Sequence, residues 1–86
     1  MAADEDDLTA FAEQIGALGV EDLLLSSVST FLAVGQAKLD RNELADARKA
    51  IDAAVALLPH LPEEARRALQ PSLAGLQVVY AAAASP

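Results

Sequence analysis

LDRNELADARKAIDAAVALLP, residues 39–59, sets the architecture of this chain. Leu44, Ala47, Ile51, Ala54, Val55 and Leu58 recur at helical spacing on one face, and Pro59 ends the run. Asp40 followed three residues later by Glu43 has the form of a capping box, with Asn42 as the alternative cap, so a helix is expected over 42–58.

Working upstream, LLLSSVSTFLAVGQA, residues 23–37, runs for fifteen positions without a charged side chain. Glu21 and Asp22 suit the positive end of a helix that carries this stretch, expected over 21–39. Only a few residues then separate it from the next helix, which makes the two antiparallel neighbours. Before them, Leu8, Phe11, Ala12, Ile15 and Leu18 predict a short one-sided helix over 7–18, capped by Asp6 or Asp7 and stopped by Gly16 and Gly19. Residues 1–7 are acidic and expected to be disordered. Downstream, Pro62, Glu63 and Glu64 suit a first helical turn. Residues 62–84 are read as a last helix bearing Leu73, Leu76, Val79, Tyr80 and Ala83. It is either kinked at Pro71 or broken there into two, with fraying over 84–86. QVVY is too short, and too flanked by alanine, to compete as a strand. The fold class is therefore all-α: one small domain, a three- to four-helix bundle built on an antiparallel helical hairpin, and expected to be oligomeric.

The last expectation comes from size and charge together. A chain of 86 residues removes only about 60–65 % of its unfolded surface on folding, and this one is 53 % hydrophobic but 3 % aromatic, so its apolar volume is spread thinly over Leu, Val and Ala. Seven acids (Asp4, Glu5, Asp6, Asp7, Glu13, Glu21, Asp22) precede any base, and residues 68–86 carry no charge. The second and last helices thus have no charged face to show to water, and two such helices are hard to hide in so small a molecule. A partner, either a second copy or another protein, is expected on Leu24, Val28, Phe31, Leu32, Leu73, Leu76, Val79 and Tyr80. The competing reading makes Ser26, Ser27, Ser29, Thr30, Gln36, Gln70, Ser72 and Gln77 a sufficient wet face.

Net charge is -7, which disfavours nucleic acid as a partner. Arg41, Arg48, Lys49, Arg66 and Arg67 form the one candidate basic patch. Interleaved with Asp40, Glu43, Asp46, Asp52, Glu63 and Glu64, these bases read more naturally as an ion-paired face. Without cysteine there is neither a disulfide nor a thiolate metal site. MAADEDD lacks the bases of a secretory signal, and 23–37 is too short to span a bilayer, so no membrane association and a cytoplasmic location are expected.

Candidate chemistry is sparse. His60 is the single histidine, and with Glu63 and Glu64 it falls short of the three or four ligands zinc takes. Ser26, Ser27 and Ser29 have no base beside them, the Asp6–Asp7 and Glu63–Glu64 pairs sit where helices start, Asp40–Asp46 lacks the glycine and closing glutamate of a calcium loop, and the four glycines form no phosphate-binding cluster. Neither a catalytic residue nor a cofactor nor a metal is expected. The function read from the residues is a non-catalytic protein–protein interaction or self-association module. The alternative is a small regulatory or ribosome-associated factor that contacts RNA through the basic patch.

ELADARKAIDAAVALL (43–58) followed by LQPSLAGLQVVYAA (69–82) resembles a short bacterial helical family, well populated in actinobacteria, that is catalogued only as a domain of unknown function. The resemblance rests on Leu44, Ala47, Arg48, Ile51 and Asp52, then Leu73, Leu76, Gln77 and Tyr80; it covers about residues 23–84. It implies a helical fold and no established chemistry, with gene neighbours that hint at translation initiation. The acidic first helix and the 59–62 spacer depart from the pattern. Residues 28–59 are also similar to one tetratricopeptide unit, through Phe31, Val34, Gly35, Ala47, Ile51, Ala54 and Pro59, with Gly35 as a point of close approach. Such units are stable at about three copies, and no second copy follows, so the likeness implies the geometry of a helical hairpin and not a solenoid.

Overall fold

The computed structural model describes residues 5–85. Four α-helices account for nearly all of them: α1 (Glu5–Gly16), α2 (Val20–Asp40), α3 (Leu44–Leu57) and α4 (Glu63–Ala84), with a single 3-10 turn at Leu58–His60 and no strand among the described residues. The fold is all-α, as the spacing of apolar residues requires.

The α2–α3 turn is built differently from the expected capping box. Asn42 adopts φ 57, the left-handed conformation that asparagine tolerates better than most side chains. The Glu43 amide donates to the Lys38 carbonyl at 2.8 Å and the Asn42 amide to Leu39 at 3.0 Å, the paired bonds of a Schellman ending for α2. Where that motif usually packs two apolar side chains, this chain pairs Lys38 Nζ with Glu43 Oε2 at 2.7 Å. Asp40 and Asn42 therefore terminate α2 instead of opening α3. Glu43 stands at the N-cap of α3 with no side-chain capping bond, because its carboxylate is engaged by Lys38 and Arg41.

Three helices share one core. Val28 and Leu32 of α2, Ile51 and Ala54 of α3, Leu58 and Leu61 of the connection, and Leu73 and Leu76 of α4 are buried together. Leu24, Leu39, Leu57, Ala65, Leu69 and Tyr80 pack around them. Ala47, Ala50 and Ala54 let α3 lie close to its neighbours. Gly35 sits at the junction: a Cβ there would meet Leu76 Cδ1 at 3.6 Å and Ala50 Cβ at 3.7 Å, ordinary contact distances. The close approach is real, yet it leaves room for one methyl group.

Two further expectations change. α4 runs unbroken through Pro71, so the two-helix alternative fails; proline there removes one backbone donor without ending the helix. Residues 5–7 are helical instead of disordered, while 1–4 lie outside the described residues.

α1 stands apart from this core. It meets α2 at 84°, and Leu8, Phe11, Ile15 and Leu18, the stripe that should be buried, are all more than half exposed. The outline is accordingly a thin slab with an arm, 55 × 35 × 15 Å. Its radius of gyration is 16.8 Å, where a compact domain of this length has about 12 Å.

Candidate interaction surface

The elbow between α1 and α2 is a formed turn. The Ala17 amide donates to Glu13 at 3.0 Å and Leu18 to Ile15 at 3.2 Å, closing the end of α1, while Leu23 donates to Gly19 at 3.0 Å in the first turn of α2. Gly19 caps α2 from the extended region, φ -71 and ψ 126. A Cβ on it would lie 3.1 Å from Asp22 Oδ2, so the acid in the first turn folds back over the glycine. These bonds aim the arm away from the slab.

α2 turns Leu24, Val28, Leu32, Gly35 and Leu39 inward. Its other side, with Leu23, Phe31 and Val34, is open, and no element among the described residues covers it. The hydroxyls there do less for solubility than their number suggests: Thr30 Oγ1 donates to the Ser26 carbonyl at 2.8 Å, within its own helix. α4 likewise buries Leu73 and Leu76, half-buries Tyr80, and leaves Val78 and Val79 to solvent.

An apolar trough of about 400 Å³ runs between the first halves of α2 and α4, lined by Leu25, Pro62, Glu64, Ala65, Ala68 and Leu69. A second concavity, of about 330 Å³, lies at the elbow against Leu18, Leu23, Asp22 and Ser26. A smaller polar one, of about 230 Å³, is lined by Glu63, Arg66, Arg67 and Gln70.

The expected partner residues divide. Val28, Leu32, Leu73 and Leu76 are core, and Leu24 and Tyr80 pack on its edge, so these six serve the chain's own fold; Phe31 and Val79 alone are exposed. Helical spacing finds an apolar stripe but does not say which of two adjacent stripes turns inward. The open surface is instead carried by Leu8, Phe11, Ile15, Leu18, Val20, Leu23 and Leu25, with Phe31, Val34, Val55, Val78 and Val79 beyond them. The one-sided first helix signalled only that an apolar stripe wanted cover; nothing in its spacing said that the stripe would be left open.

The basic residues are largely engaged. Arg41 pairs with Glu43 at 2.9 Å, Arg48 with Asp52 at 3.7 Å and Arg67 with Glu63 at 2.6 Å; Lys49 and Arg66 have no ion pair among the described residues. Hydrogen bonds from Lys38 and Arg41 hold the Glu43 carboxyl below its ordinary pKa, and the bond to Glu43 raises that of Lys38. Among the described residues no three His, Cys, Asp or Glu side chains are grouped to hold a metal ion, and no polar or charged side chain is buried. His60 lies in the 3-10 turn, away in sequence from the serines of α2. No single helix there is long and apolar enough to cross a membrane, although α1 and α2 together pass by length and composition as a pair bent at 84°.

No family model, curated protein or solved structure matches the chain.

Proposed function

We propose that the protein is a non-catalytic association module, which docks on its partner through the arm and the open apolar sides of α2 and α4. The observation that carries this is surface area. The chain exposes 6154 Å², about 1,300 Å² more than a folded monomer of its mass ordinarily shows. Among the described residues, twelve large apolar side chains contribute to it.

The test is mass in solution from 1 to 100 µM, with an apolar dye added at each concentration. Two results support the reading: a species heavier than one chain, or a single chain that binds dye strongly because its apolar side is open. A single chain that binds none refutes it.

A further inference from the structure

We draw no further inference here: the strongest candidate, the apolar trough between the first halves of α2 and α4 together with the open stripe of α1, carries none because nothing in the structure shows what covers either surface.

Discussion

Leu76 tests whether α4 is oriented as described. Its side chain is 6 % exposed and packs over Gly35 at the junction of the three helices. Truncating a buried leucine to alanine removes its transfer free energy and leaves a cavity, together costing about 2.7–5 kcal/mol in a well-packed core. The lower half of that range applies here, because a slab 15 Å thick has neighbours on few sides and can collapse into the gap. Against a total of about 4–13 kcal/mol for a domain of this length, Leu76→Ala should cost about 3 kcal/mol. With a urea dependence of about 1 kcal/mol per molar for so small a domain, the midpoint should fall by about 3 M. Val79, three residues along and 46 % exposed, is the control: Val79→Ala should move the midpoint by less than about 0.5 M. Urea titrations followed at 222 nm, at the lowest usable chain concentration, make the comparison. Equal shifts for the two variants, or a Leu76→Ala protein that keeps its midpoint and loses only mass, would mean that α4 presents the opposite face and that the core assignment is wrong.

The turn at Asn42 should discriminate by backbone conformation: Asn42→Gly is expected to be neutral or mildly stabilising, and Asn42→Val to cost about 1–2 kcal/mol by thermal unfolding. Gly75 is helical, exposed and has nothing within 4 Å of an added Cβ, so Gly75→Ala should raise stability by about 1 kcal/mol. Gly35→Ala should gain no more than that despite burial, whereas Gly35→Leu should unfold the junction; urea midpoints distinguish the three. For the Lys38–Glu43 pair the direction of each shift sets the pH window. The lowered carboxyl pKa stabilises above the ordinary carboxylate range and is lost as pH falls through the lowered value; the raised ammonium pKa stabilises below the ordinary lysine range and is lost as pH rises through the raised value. Glu43→Gln should therefore lower the melting temperature between about pH 5 and 10 and converge with the wild type in acid.

The hairpin was legible because Leu44, Ala47, Ile51 and Ala54 repeat on one face and a three-residue link forces α3 back along α2. Gly16, Gly19 and Pro59 also marked real boundaries. The turn chemistry was misread at Asn42: a residue that caps helix starts by its side chain and ends helices by its backbone reads identically in sequence, and the deciding quantity is a φ angle. Pro71 was ambiguous for a related reason, since the packing of Leu69, Leu73 and Leu76 on one core outweighs the single lost donor. The interaction surface was legible in outline only. The uncharged runs said that cover was needed, but Phe31 lies only about 60° and 100° of helix rotation from Val28 and Leu32, and only the packed neighbours decide which of these side chains turns inward. The arm's exposure, by contrast, is a tertiary fact with no local signature.

That arm has a thermodynamic consequence. A twelve-residue helix whose apolar stripe is more than half exposed is near the limit of what water allows to persist, because helix nucleation is costly. Heating the protein should melt the arm before it touches the slab, and the peptide bonds of α1 should be the first that a protease cuts.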